Sequence, residues 1–148
     1  MESDMKVDIQ DSLGYILANT GRKLTQQLTH KFEPYGITSE QWSVLHWLTI
    51  KDNITQRELS KRTEKDPTNI TRILDQLERK GWIERKANAT DRRSYLIYVT
   101  PSGRALSELL LPIEQEVTSY IEALLSQNNL DSLKLSLRTI HHYLCSPN

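Results

Sequence analysis

The chain has 148 residues, 37% hydrophobic and 26% charged, with 19 Lys/Arg balancing 19 Asp/Glu. No apolar run approaches the roughly 18 residues of a membrane span, and the start, MESDMKVDIQDSLG, lacks the basic-then-apolar order of a secretory signal. The single cysteine, Cys145, excludes an internal disulfide, so a reducing cytoplasm is the expected setting.

Residues 8–33 read as one long helix, with Ile9, Leu13, Ile16, Leu17, Leu24, Leu28 and Phe32 at helical spacing. Gly14 and Gly21 weaken it by about 1 kcal/mol each relative to Ala and would permit close approach of another helix. PYG at 34–36 ends it. TSEQ, Thr38 to Gln41, has the form of a capping box and opens a second helix whose buried side carries Trp42, Leu45 and Leu48 or Thr49. TQRE, Thr55 to Glu58, opens a third, shorter helix in the same way, with Leu59 as its main apolar contact. Asp66 and Pro67 stand as cap and first residue of a fourth helix. Its Ile70, Ile73, Leu74 and Leu77 fall at i, i+3, i+4 and i+7 and must face inward. Gly81 supplies a left-handed stop.

WIERK (82–86) and YLIYV (95–99) are β-rich and alternating, separated by an eight-residue polar segment, which predicts a hairpin with a long tip. Thr100 and Pro101 then open a long helix with an apolar stripe from Leu106 to Leu125, SQNNLD breaks it, and Leu130, Leu133, Leu137, Ile140 and Leu144 form the stripe of a last helix. The expected fold is mainly α with a small β-hairpin wing (α+β): a helix-turn-helix followed by a wing, flanked by long helices. Those flanking stripes have little core of their own to cover, and a second copy of the chain is the simplest way to bury them.

The zero net charge conceals an asymmetry. Residues 51–104 hold 13 Lys/Arg against 8 Asp/Glu, whereas 1–50 and 105–148 are net acidic at −2 and −3. A basic centre between acidic ends points to a polyanionic partner. The outward face of the fourth helix carries Thr68, Asn69, Thr71, Arg72, Asp75, Gln76 and Arg79. Short hydrogen-bonding side chains and an arginine near a helix N-terminus are what major-groove readers present, although every surface helix has a polar face. Arg57, Lys61, Arg62 and Lys65 surround it. The hairpin tip carries Asp91, Arg92 and Arg93 in a row. Arginine in a narrow minor groove meets enhanced negative potential, while Asp91, repelled by phosphate, is expected to act inside the protein by fixing an arginine. The bland alternative is a solvated turn. No P-loop, G-x-S-x-G, H-E-x-x-H or G-x-G-x-x-G is present, so no enzyme class, metal or cofactor is implied.

The segment ITQRELSKRTEKDPTNITRILDQLERKGWIERKANATDRRSYLIYVTPSG resembles the winged-helix core of the MarR family of bacterial transcription regulators, most specifically in TRILDQLERKGWIER and the D-x-R wing motif from Asp91 to Arg93. The flanking helices match that family's dimerisation region. The resemblance implies a cytoplasmic homodimer on a pseudo-palindromic double-stranded operator, most often as a repressor. Residues 1–35 and 101–148 would serve dimerisation and 36–100 would bind DNA. It places a recognition helix over Pro67 to Lys80 in the major groove, with Thr68, Asn69, Thr71 and Arg72 foremost. Arg93, with Arg92 beside it, would enter the minor groove, and Asp91 would pair with an arginine of the lobe, for which Arg72 is the candidate. The chain departs from the family at Thr63 and Glu64, where an apolar residue and a glycine are common.

The resemblance further implies release by a small aromatic or phenolic effector, for which Tyr15, Arg22, Trp42, His46 and Trp47 are candidate lining residues. For any one of them, packing is the more frequent role of such a side chain. Cys145 has only His141 and His142 as neighbouring bases, and a structural role outweighs a redox one. The alternatives to a ligand-released regulator are a helical protein-interaction module without DNA binding and a cysteine-based redox-sensing regulator.

Overall fold

The computed structural model describes residues 8–146, and the chain divides into two compact units, 1–111 and 112–148. In the first unit the expected helix from residue 8 is interrupted. A 3-10 turn, Ile9–Asp11, comes first, and Ser12 is extended (φ −70, ψ 131) before α1 (Leu13–Phe32) begins. The cause is local: the Asp8 carboxylate accepts the Gln10 N–H at 3.0 Å, a bond that competes with helix propagation. A second 3-10 turn, Glu33–Tyr35, closes on Gly36 at φ 70. Gly14 and Gly21 meet no atom within 4 Å of where a Cβ would stand.

α2 (Ser39–Ile50) starts with both bonds of the capping box: Thr38 Oγ1 accepts the Gln41 N–H and the Gln41 side chain accepts the Thr38 N–H, each at 3.1 Å. α3 (Gln56–Thr63) follows β1 (Ile54–Thr55), and α4 (Pro67–Arg79) follows α3. The α3 box is only half made. Thr55 Oγ1 accepts the Glu58 N–H at 3.2 Å, but the Glu58 carboxylate turns to Arg62 at 3.0 Å and Lys51 at 3.8 Å. Two cations outcompete one backbone N–H. The α3–α4 turn puts Glu64 at φ 56, the left-handed region where a glycine costs least. The turn is tight, because Ser60 Oγ donates to the Lys65 carbonyl at 2.6 Å.

The hairpin is β2 (Ile83–Ala87) with β3 (Tyr95–Val99), paired Ile83 to Val99 through Ala87 to Tyr95. β1 pairs with the other edge of β3, Ile54 opposite Ile97, giving the order β1-β3-β2. This third strand was not expected; two residues are too few to show alternation. The core beneath is Phe32, then Val44, Leu45 and Leu48 of α2, Leu59 of α3, Ile70, Ile73, Leu74 and Leu77 of α4, and Ile83 and Ile97 of the sheet, all essentially inaccessible. Burying each large side chain contributes about 1.5–3 kcal/mol, and the four on α4 fix which of its faces looks outward.

α5 (Pro101–Glu122) begins where Thr100 Oγ1 accepts the Gly103 N–H at 3.1 Å. The unit boundary falls inside it, at Pro112, which has no N–H to donate to the carbonyl four residues back. In the second unit, α6 (Gln127–Cys145) starts inside the segment expected to be a break, because Ser126 Oγ accepts the Asn129 N–H at 3.2 Å and caps it. Leu130 is buried on α6, but Leu133, Leu137 and Leu144 are 44%, 41% and 72% exposed. No helix among the described residues is long and apolar enough to cross a membrane.

Candidate nucleic-acid interface

α4 starts at Pro67 as expected, yet Asp66 caps it by position only and makes no side-chain cap bond. Thr68, Thr71 and Arg72 are exposed, Asn69 half-buried. Thr68 has no side-chain hydrogen bond among the described residues. Thr71 Oγ1 donates to the Pro67 carbonyl at 3.0 Å and accepts from Gln56 of α3, which braces the two helices. Gln76 departs from its expected role on the reading face. It is half-buried, and its Oε1 accepts from Gln41 Nε2 of α2 at 2.8 Å. It lies at the edge of the buried face, beside Ile73 and Leu77, and acts as a tie between helices.

Asn69 and Arg72 meet a residue that the sequence did not single out. Glu40, in the first turn of α2, accepts from Asn69 Nδ2 at 2.5 Å and faces Arg72 Nη2 at 3.3 Å and Lys65 Nζ at 3.8 Å. Asn69 Oδ1 in turn accepts from Arg72 Nη2. The Asn69 hydrogen bond foremost, then the Lys65 and Arg72 charges, hold the Glu40 carboxyl below its ordinary 4.5, against the opposing effect of burial. Glu40 lies 29 and 32 residues from its partners on α4, so no local spacing announces it.

The expected pairing of Asp91 with Arg72 does not occur: Arg72 is held by Glu40 and Asn69. Asp91 instead acts within the tip. Its Oδ1 accepts the Arg93 N–H at 2.9 Å, its carbonyl accepts the Ser94 N–H at 3.2 Å, and Asn88 Nδ2 closes the base onto Ser94 Oγ at 3.0 Å. A side chain that bonds backbone two residues on is an Asx turn, so Asp91 sets the course of the chain that carries Arg93. Arg92 and Arg93 are exposed, with no acceptor for their side chains among the described residues. The wing is joined to α4 by another residue missed in sequence. Arg85 stands opposite Ile97 on the inner side of the hairpin and reaches Asp75 of α4 at 2.7 Å and Glu78 at 3.9 Å. Between α3 and the wing runs a groove of about 620 Å³, lined among others by Arg57, Lys61, Pro67, Arg85, Asp91 and Arg93.

The five residues named for an effector lie on two helices, Tyr15 and Arg22 on α1 and Trp42, His46 and Trp47 on α2. Trp42 is 4% exposed and stacks on His46, centroids 5.1 Å apart, with Phe32 on its other flank at 5.5 Å. The pair packs together, with Trp42 Nε1 and His46 Nδ1 buried and without a hydrogen-bond partner among the described residues. Trp47, 38% exposed, lies five residues beyond Trp42 and so on another face of α2. Tyr15 and Arg22 lie two turns apart on α1, and Arg22 Nη2 donates to Asn19 Oδ1 at 2.5 Å. In the second unit, Cys145 Sγ sits 3.5 Å from His141 Nε2, one turn earlier on α6.

Residues 37–95 match the MarR family. Over 96 residues the chain is 38% identical to the multiple antibiotic resistance protein MarR of Salmonella typhimurium, covering 65% of this chain and 67% of that one. The chain belongs to the MarR family. It is also 30% identical over 120 residues to the transcriptional repressor MprA of Escherichia coli, covering 80% and 68% of the two chains. Among solved structures, MepR of Staphylococcus aureus in complex with DNA superposes with a TM-score of 0.86 at 27% identity, over 90% of this chain and 98% of that one. This MarR-family transcription regulator thus has the family's winged helix-turn-helix, with α3 and α4 as the helical pair and β2–β3 as the wing.

Proposed function

We propose that the protein is a homodimeric repressor that binds a pseudo-palindromic operator and releases it when a small aromatic or phenolic ligand binds. The observation that carries this is the distribution of charge pairs in the first unit. Lys51, Arg62, Lys65, Arg72, Arg85 and Arg104 all have carboxylate partners. Arg57, Lys61, Arg92 and Arg93, clustered around the start of α4 and the wing tip, have none among the described residues; neither do Arg79 and Lys80 at the far end of α4 or Arg22, Lys23 and Lys31 of α1, which lie outside that cluster. In a chain of zero net charge, cations left open beside an outward helix face suit phosphate.

In this reading α4 enters the major groove, led by Thr68, Thr71 and Arg72 at its N-terminal half, and Arg93 enters the minor groove. Two copies must then present their α4 helices one turn of DNA apart, about 34 Å. The exposed leucines of α6, Leu133, Leu137 and Leu144, support a second copy as their cover. A releasing ligand must prefer the conformation in which the two helices are misspaced, since a ligand of equal affinity for both shifts nothing. The exposed candidates for it are Tyr15, Arg22 and Trp47.

In vitro selection of bound DNA tests the reading: it should yield an inverted repeat with half-sites one turn apart, whose affinity falls steeply as salt rises. No complex at any salt, with a clean heterocomplex in pull-down, would replace it with an interaction module. Two variants probe the parts. Arg72→Ala should weaken operator binding by about tenfold, and more than Arg79→Ala, because only the first turns of α4 reach base edges; the reverse order in titrations would move the helix in the groove. Leu133→Asp with Leu137→Asp should halve the sedimenting mass, and a wild-type chain that already sediments as a monomer would remove the dimer.

A further inference from the structure

We propose that Glu40 is a positioning residue for base readout: it locks Asn69 and Arg72 of α4 into one hydrogen-bonded unit, so that Arg72 presents its Nη1 end to a guanine edge in a single orientation. The inference rests on the reading that α4 enters the major groove. Three bonds close the unit. Glu40 takes Asn69 Nδ2 with one oxygen and Arg72 Nη2 with the other, and Asn69 Oδ1 takes the same Nη2. The Asn69 amide is therefore oriented by its partners, nitrogen toward Glu40 and oxygen toward Arg72. Both hydrogens of Nη2 are turned inward, and Nη1 is left for an acceptor outside the protein. Guanine offers acceptors only, O6 and N7, at its major-groove edge.

An acid in the first turn of a helix is favourable for the helix dipole alone, but that role needs no partner on another helix. A free carboxylate beside DNA also repels phosphate, so Glu40 opposes binding to every sequence equally unless its bonds confer something selective. These two roles predict opposite signs. Glu40 stays ionised in any neutral buffer because Asn69, Lys65 and Arg72 favour its charged form, so Glu40→Gln removes a charge while keeping the side chain's shape.

The test measures affinity for the selected operator and for operators changed one base pair at a time, with wild type, Glu40→Gln, Arg72→Ala and the double variant. Circular dichroism confirms that each is folded. Glu40→Gln is expected to reduce discrimination about tenfold, the scale of one specific base contact, at the base pair that Arg72→Ala also relaxes, with affinity for unrelated DNA unchanged or raised. In the Arg72→Ala background Glu40→Gln should change discrimination no further. A uniform rise in affinity with discrimination intact, or loss of discrimination in both backgrounds, overturns the proposal while leaving the DNA-binding reading in place. A wild-type protein with no sequence preference overturns both.

Discussion

Gly103→Ala is expected to destabilise the first unit by about 3 kcal/mol, at the upper end of the range for overpacking a close contact, a fall in melting temperature of roughly 10 °C. A Cβ on Gly103 would lie 2.1 Å from the Trp82 carbonyl oxygen and 3.0 Å from the Trp82 carbonyl carbon and from Val99 Cγ1. The nearest of these is backbone and cannot rotate away. The same backbone stretch is fixed from both sides: Thr100 N donates to the Trp82 carbonyl at 3.0 Å, and the hydroxyls of Thr100 and Ser102 donate to the Gly81 carbonyl at 2.7 and 3.0 Å. The first turn of α5 is therefore bolted to the start of the wing, and the glycine lets the two backbones meet. Gly21→Ala is the internal control. Nothing stands within 4 Å of its Cβ position, and in mid-helix the added methyl should stabilise by up to about 1 kcal/mol. Thermal or denaturant melts of the two variants should thus move in opposite directions; equal shifts would mean that the contact between α5 and the Trp82 backbone is loose.

The second large effect is on operator binding. Arg93→Ala should weaken it by about tenfold or more and lower the slope of log affinity against log salt by about 1, with helicity and sedimentation unchanged. The side chain makes no bond within the described protein, so its loss costs the fold nothing that can be named. Unchanged affinity would take the wing out of the mechanism. Arg92→Ala separates the two arginines: an equal loss on all sequences marks a phosphate contact, and a loss confined to the selected operator marks a groove contact. Asp91 fits the same scheme in a way that pairing with Arg72 would not have allowed. Because it holds the Arg93 N–H, Asp91→Ala should loosen the tip and reproduce part of the Arg93→Ala loss.

Much of this architecture is legible in one dimension. The i, i+3, i+4, i+7 spacing of Ile70, Ile73, Leu74 and Leu77 identifies α4 and its buried side, and all four are inaccessible in the fold. TSEQ is a complete capping box, and Tyr95–Val99 is a strand with those same bounds. These succeed because the signals are local: a helix repeats within one turn, and a cap reaches three residues. The misreadings have equally local causes. Ser126 reads as part of a break because a cap and a loop share polar residues, and Asp8 holds a 3-10 turn where the periodicity runs on without interruption.

The candidate site divides along the same line. That α4 shows Thr68, Thr71 and Arg72 to solvent, and that two arginines cap the wing, follows from spacing and turn chemistry. What each polar group is bonded to does not. Glu40 on Asn69 and Arg72, Gln41 on Gln76, Arg85 on Asp75 and Gly103 against Trp82 join residues 10 to 35 positions apart on different elements. Hydrophobic burial sets which face of a helix turns inward, and periodicity records that in the chain. Hydrogen bonds and close backbone contacts depend on distances of a few tenths of an ångström between elements, and those exist only once the elements have packed.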